Sequence, residues 1–367
     1  MKWWRWAICC ILAISHGTAL AQSNALITVG LTDFQQAPTV RCQVAEGSYR
    51  WLVRENDAFT ELGALTKTGE IKKANGGWEM HAGGANRISP YFILKPDHAE
   101  AKIKLISETT GYRQYRGAVH FYWHANEWHI ALETPMESYV PGVVVSEIGK
   151  GHAEAMYEAH AIVSRTYALH TSGRHRLAGY DVCDQVHCQV FAGLSTVNDT
   201  IEAACDATRS LVLVDRLGRP VVAAFHSNCG GATRSSEAVW QTANPNLVTV
   251  EDHYCQAGAH AAWTQSVGGE QWRIWQETSD STERFDIATR HWFKLPSARF
   301  NAVDLGDTVT IHGMGFGHGV GMCQEGAMQR ARQGTSAWMI LNTYYTDIRL
   351  RPLQEVTTLE SNASSDR

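Results

Sequence analysis

The stretch from Tyr139 to His170, YVPGVVVSEIGKGHAEAMYEAHAIVSRTYALH, leaves this chain few choices. It opens on an apolar, β-branched run, Val140 to Val145, interrupted by Pro141 and Gly142, and a single acid, Glu147, stands at its end. A loop with Gly149 and Gly151 follows. Ala153, Met156, Tyr157, His160, Val163 and Tyr167 then recur at spacings of three and four, which predicts one face of a helix. Arg165 lies on that segment. A lone carboxylate set against apolar neighbours has its pKa raised toward the range of a general acid, although the residues alone also permit an ordinary exposed loop acid.

A second cluster follows the helix. His175, Cys183, His187 and Cys188 lie within HRLAGYDVCDQVHCQVFAG. Thiolates and imidazoles are the usual zinc ligands, and four of them close a tetrahedral structural site with no position left for water. The spacing is irregular, and a Cys183–Cys188 disulfide is the competing reading. His170 is the substitute for His175 as fourth ligand. Two glycine-rich segments come later, FHSNCGGATRSSEAVW around Gly230 and Gly231, and HGMGFGHGVGMCQEGAMQRARQG around His318 and Gln324. Adjacent glycines let a backbone approach a ligand closely. Neither segment carries a P-loop lysine or dinucleotide-binding spacing, which excludes nucleotide binding.

The N-terminus reads as an export signal. Lys2 and Arg5 give a positive start, Ala7 to Ile14 a short apolar run, and Ala19-Leu20-Ala21 a cleavage site, so residues 1–21 are expected to be removed. The apolar run is too short to span a bilayer. No later segment reads as membrane-spanning. Of nine cysteines, Cys42, Cys183, Cys188, Cys205, Cys229, Cys255 and Cys323 would remain. An odd number in an exported chain argues against simple pairing throughout, although Cys229 and Cys255 could pair. A net charge of −5 gives no electrostatic case for nucleic acid or an anionic membrane. The 13 tryptophans could stack on sugar rings or pack a core.

Residues 22–133 read as a mainly β part, with strands at Ile27–Leu31, Arg50–Arg54 and Tyr91–Leu94 and a hairpin of Gly117–Trp123 and Trp128–Leu132. Lys67 to Asn86, polar and glycine-rich, reads as loops. Residues 134–352 read as the core that carries the chemistry. Within it, Val197 to Arg209 predicts a helix capped by Asp199 or Thr200, and Leu211–Val214 a strand pairing with Val221–Phe225. Trp263 to Val309 is expected to hold two helices and no chemistry. Residues 353–367 form a polar tail.

YVPGVVVSEI and EAMYEAHAIVSRTYAL resemble the core motif of the SpoIID/LytB family of bacterial cell-wall proteins, roughly YLxGVVxxEM and EALKAQAVAARTYAL. FHSNCGGATRSSEAVW is similar to that family's YHSTSGGYTESSEXVW, and GHGVGMCQEGAMQRARQG to its GHGVGMSQYGAxxMAxxG. Glu158, His160, Gly149, Cys229, Cys323 and Glu325 depart from those patterns. The resemblance implies lytic transglycosylase chemistry on peptidoglycan glycan strands, with a preference for strands stripped of stem peptides, outside the cytoplasm at the cell wall. Glu147 matches the family's catalytic acid and Arg165 its essential arginine, expected to orient Glu147 or hold a substrate group. Gln189, His226, Ser227, Gly230, Gly231, His318 and Gln324 would line the groove. Some members carry zinc in the loop that matches Cys183, His187 and Cys188. LytB-like members imply the competing reading, a glycan-binding enhancer of a cell-wall amidase that does not itself cut. A zinc hydrolase is a third reading. The expected fold is α+β, mixed sheets and packed helices around a glycan-binding groove.

Overall fold

The computed structural model describes residues 25–56, 58–279 and 285–356. The signal-peptide reading and the end of the polar tail fall outside these residues. The fold is α+β.

Two sheets face each other in the N-terminal half. The first has seven strands in the order Val182–Cys183, Leu26–Gly30, Glu127–Pro135, Ala118–His124, Tyr91–Pro96, Tyr49–Glu55 and Ala58–Leu65. The second has six, in the order Gly111–Arg116, Lys102–Ser107, Thr39–Glu46, Thr68–Ala74, Gly77–Ala82 and Ala85–Ser89. Trp51 and Phe121 of the first sheet lie 6.0 Å apart, and Trp78 of the second meets Phe121 edge-on at 5.7 Å. All three rings are buried, and the Trp78 indole donates to the Tyr122 carbonyl.

The segment expected to be loops, Lys67 to Asn86, instead supplies most of three strands of the second sheet. Its polarity comes from the outward positions alone. Ile71, Trp78 and Met80 are buried, and Gly76, Gly83 and Gly84 hold positive φ in the tight turns.

Leu26–Gly30 joins the two parts of the chain. It pairs antiparallel with Glu127–Pro135 on one side and parallel with Val182–Cys183 on the other. Asp181 accepts from the Thr28 N–H and hydroxyl, and Asp184 from the Thr32 N–H and hydroxyl and from Arg113. The loop of cysteines and histidines is therefore fastened to the N-terminal sheet.

The β-branched run Val140 to Val145 is helical, within Met136–Ile148. Val140, Val143, Val144 and Val145 are all buried, so tertiary packing outweighs their weak helix propensity. Gly142 is required by closeness: a Cβ there would meet the Phe191 ring at 2.4 Å. The next helix, Glu154–Thr171, follows the predicted periodicity and packs against the first.

The helix Asp199–Ala207 is capped by Asn198, whose side chain accepts from the Ile201 N–H, rather than by Asp199 or Thr200. Leu211–Val214 forms its ladder with Arg349–Pro352; of the expected pairing with residues 221–225 only the start is present, a Val214–Pro220 bridge and the Val221 N–H donating to the Leu213 carbonyl. From that latter stretch only Phe225–His226 forms a strand, parallel to Met322–Cys323. The expected helices between Trp263 and Val309 are present at Gly269–Thr278 and Phe285–Phe293, beside a three-stranded sheet with its own small core of Trp272, Leu295, Val309 and Ile311.

Candidate functional site

Glu147 lies in the last turn of its helix, where the helix's partial negative end already disfavours a carboxylate. Its Oε1 accepts the Val190 N–H at 2.6 Å, and Gln324 also hydrogen-bonds to it. Both bonds favour the ionised form. Burial opposes them and wins, so the carboxyl rises from 4.5 to about 7.

The acid opens onto a cavity of about 520 Å³. Its walls come from the long helix (Tyr167), the cysteine loop (His187, Cys188), the short parallel strand pair (Phe225, His226, Ser227, Gln324) and the glycine loop (Phe316, Gly317, His318). Gly317 and Gly321 hold this last loop close. A Cβ at Gly321, φ +73°, would meet the Ala224 carbonyl oxygen at 2.0 Å. Trp240 and Phe316 are exposed at the rim, and Arg174 is the cation on the lining.

His226 and His318 lie 5.5 Å apart, ring centre to ring centre. Burial lowers His226 to about 3, helped by His318, and lowers His318 to about 4, helped by Arg290. Both rings are neutral at pH 7. His226 Nδ1 donates to the Val320 carbonyl, which leaves its buried Nε2 as an acceptor without a partner among the described residues. His318 Nδ1 accepts the Val320 N–H.

Gln324 is held in turn by His160. The buried ring, pushed down to about 3, accepts from the Gln324 amide at 3.1 Å and donates to the Ser164 hydroxyl at 3.0 Å. His160 supports the acid from behind. It was legible in the sequence only as one position of a helical face.

Not every expected residue reaches the cavity. Arg165 is fully buried, with Nε and Nη2 on Glu137 at 3.0 and 2.9 Å and Nη1 on the Leu211 carbonyl. Glu137 is ten residues before Glu147, about 15 Å along the helix, so Arg165 does not orient the acid. It clamps the two helices together instead. Gln189 is buried against the Tyr139 hydroxyl and the Ser164 carbonyl. Gly230 packs on Met314, and the Gly231 N–H points at Cys255 Sγ; neither lines the cavity. Arg174, Trp240 and Phe316 line it without any mark in the sequence, and Tyr167, read only as one position of the helical face, lines it too.

His175, Cys183, His187 and Cys188 do converge, with donor atoms all within 4.8 Å of one another. Cys188 Sγ is 3.4 Å from His175 Nε2 and 3.8 Å from His187 Nδ1, and Cys183 Sγ is 3.9 Å from the latter. These separations fit the edges of a tetrahedron around zinc, about 3.6 Å for mixed sulfur and nitrogen ligands. His170 is exposed on the Pro220 carbonyl and outside the group. Val190, the donor to Glu147, lies two residues beyond Cys188.

The SpoIID family, described as stage II sporulation protein, matches residues 124–214. The chain is 29% identical over 264 residues to an uncharacterized protein of Brachyspira hyodysenteriae, covering 64% of this chain and 72% of that one. It is 28% identical over 259 residues to stage II sporulation protein D of Bacillus amyloliquefaciens, covering 60% and 75% of the two chains. Over 286 residues it is 23% identical to an amidase enhancer of Bacillus subtilis, covering 56% of this chain and 39% of the enhancer. This chain carries a SpoIID/LytB-family domain.

Proposed function

We propose that the protein is a peptidoglycan lytic transglycosylase that cuts the MurNAc–GlcNAc β-1,4 bond of glycan strands, with Glu147 as acid and then base. The observation that carries this reading is a cavity whose lining holds one carboxylate, raised by burial to about 7. Hydrolytic glycosidases work with two carboxyl groups, about 5 to 9.5 Å apart. One acid suffices if the sugar supplies its own nucleophile. Protonated Glu147 gives its proton to the bridging oxygen, and the C1–O bond breaks with the electron pair leaving on GlcNAc O4. The carboxylate then takes the proton of the muramyl C6 hydroxyl as O6 bonds to C1. The product is a 1,6-anhydro sugar, no water is consumed, and the acid is restored.

The other groups have fitting roles. Trp240 and Phe316 offer flat rings to pyranose faces, and the free His226 Nε2 accepts a sugar hydroxyl. A preference for strands stripped of stem peptides belongs to this reading. Such a substrate lies outside the cytoplasm, where the expected export signal at residues 1–21 would direct the chain. Among the described residues no helix is long and apolar enough to cross a membrane. A structural zinc on His175, Cys183, His187 and Cys188 would hold the loop that brings the Val190 N–H to Glu147.

The second reading is a glycan-binding amidase enhancer that does not cut. It is favoured by Arg165 sitting on Glu137 instead of beside the acid. The decisive experiment incubates the mature protein and Glu147→Gln with peptide-stripped sacculi and reads the products by mass. Anhydro-muramyl ends from the wild type, and none from Glu147→Gln, are expected. No anhydro product from the wild type, with sacculus binding intact, overturns the enzyme reading in favour of the enhancer.

A further inference from the structure

A second group of soft ligands lies on the far side of the cavity wall. Cys229, Cys255 and Cys323 converge with Asp252, all four are buried, and their donor atoms are within 4.8 Å of one another. They come from three segments, up to 94 residues apart. Cys229 Sγ is 3.4 Å from Cys255 Sγ and 3.9 Å from Asp252 Oδ2. A tetrahedral zinc with bonds of about 2.3 Å to sulfur sets ligand separations of about 3.8 Å. We propose that Cys229, Cys255, Cys323 and Asp252 form a second, structural zinc site.

The surroundings suit a metal thiolate. The Cys229 N–H points at Cys323 Sγ and the Gly231 N–H at Cys255 Sγ, each at 3.3 Å, as backbone donors do around anionic sulfur. Cys323 stands at the N-cap position of the helix Gln324–Arg332 with no side-chain capping bond, and a helix N-terminus favours a thiolate. Asp252 is oriented from outside the group: the Tyr344 hydroxyl donates to Oδ2 at 2.7 Å, and Arg330 to Oδ1 at 3.2 Å. Arg330 also offsets part of the negative charge of three thiolates and a carboxylate. These contacts are the outer hydrogen bonds that metal ligands require. The backbone leaves room for the carboxylate, since a Cβ on Gly326 would lie 1.9 Å from Asp252 Oδ2. A Cys229–Cys255 disulfide would use two of the sulfurs and leave Cys323 and a buried acid beside them unexplained.

The site would brace the catalytic wall. Cys229 is two residues beyond Ser227, and Cys323 precedes Gln324, so one ion would tie together the parallel strands that present both groups to the cavity.

The test measures zinc in the full-length protein by elemental mass spectrometry, in wild type, Cys323→Ser and Cys183→Ser. Cys323→Ser is expected to lose one equivalent, whether or not the His175 group also holds zinc. Cys183→Ser should keep the equivalent that Cys323→Ser loses. Unchanged zinc in Cys323→Ser overturns the proposal. Should Cys323→Ser not fold, cobalt replacement in Cys183→Ser serves instead: a sulfur-to-cobalt charge-transfer band is expected, and its absence overturns the proposal. Independently, wild type alkylated in denaturant without reductant should be labelled at all three cysteines. A disulfide joining any two of them overturns the site.

Discussion

Replacing Glu147 by Gln is expected to stabilise the protein, by an amount set by pH. In the fold the carboxyl titrates at about 7 rather than 4.5 because burial penalises its charge. Each unit of separation between folded and unfolded states corresponds to about 1.4 kcal/mol, so the whole shift would amount to about 3 kcal/mol. The side chain is only half-buried at an open cavity, and water screens it, so about 1–2 kcal/mol is the expected effect. Well below 4.5 the acid is protonated in both states, and the two chains should be equally stable. As pH rises, the unfolded chain releases its proton first, and wild type loses stability until pH passes about 7. Gln carries no charge, and its oxygen still accepts the Val190 N–H. Urea midpoints of both chains, taken from about pH 4 to about pH 9, read the difference. The curves should meet at the acid end and separate to a plateau above neutrality. A separation independent of pH would show that Val190 and Gln324 cancel the cost of burial, and a less stable Gln chain in the alkaline range that they outweigh it. The basis for a protonated Glu147 would then be gone.

Arg165→Ala should cost about 3–5 kcal/mol of stability, because it leaves Glu137 buried without its partner; urea denaturation measures it. A chain of near-normal stability that has lost activity would return Arg165 to the chemistry. Gly142→Ala should cost about 1–3 kcal/mol by driving a methyl into Phe191, seen as a lowered melting temperature. An unchanged melting temperature would mean that the Phe191 loop moves aside freely.

Glu147 was legible as a lone acid closing an apolar run, but the groups that enclose it, Val190 and Gln324 among them, come from distant segments that the sequence does not join. The helix at Glu154–Thr171 was legible from its own period. Arg165 was misjudged because its partner, Glu137, lies 28 residues earlier on a different helix, and nothing in the sequence chooses between two glutamates on one helix. The valine run looks extended only until its burial is known. The strands between Lys67 and Asn86 were obscured by polar residues on their outward positions, although the glycine turns marked them. The convergence of Cys229, Cys255 and Cys323 depends on long-range packing, which spacing along a chain does not encode.

The seam between Leu26–Gly30 and Val182–Cys183 has a consequence for anyone excising the recognisable region. A fragment limited to residues 124–214 would omit Thr28 and Thr32, which grip Asp181 and Asp184 across more than 150 positions. Asp181 would keep only Ser172 and Gly173, and Asp184 only Gln185, and the loop facing Glu147 would hang from an edge with no neighbour. The diagnostic motif is thus not a transplantable cassette: its geometry is completed by the earliest strand in the described chain.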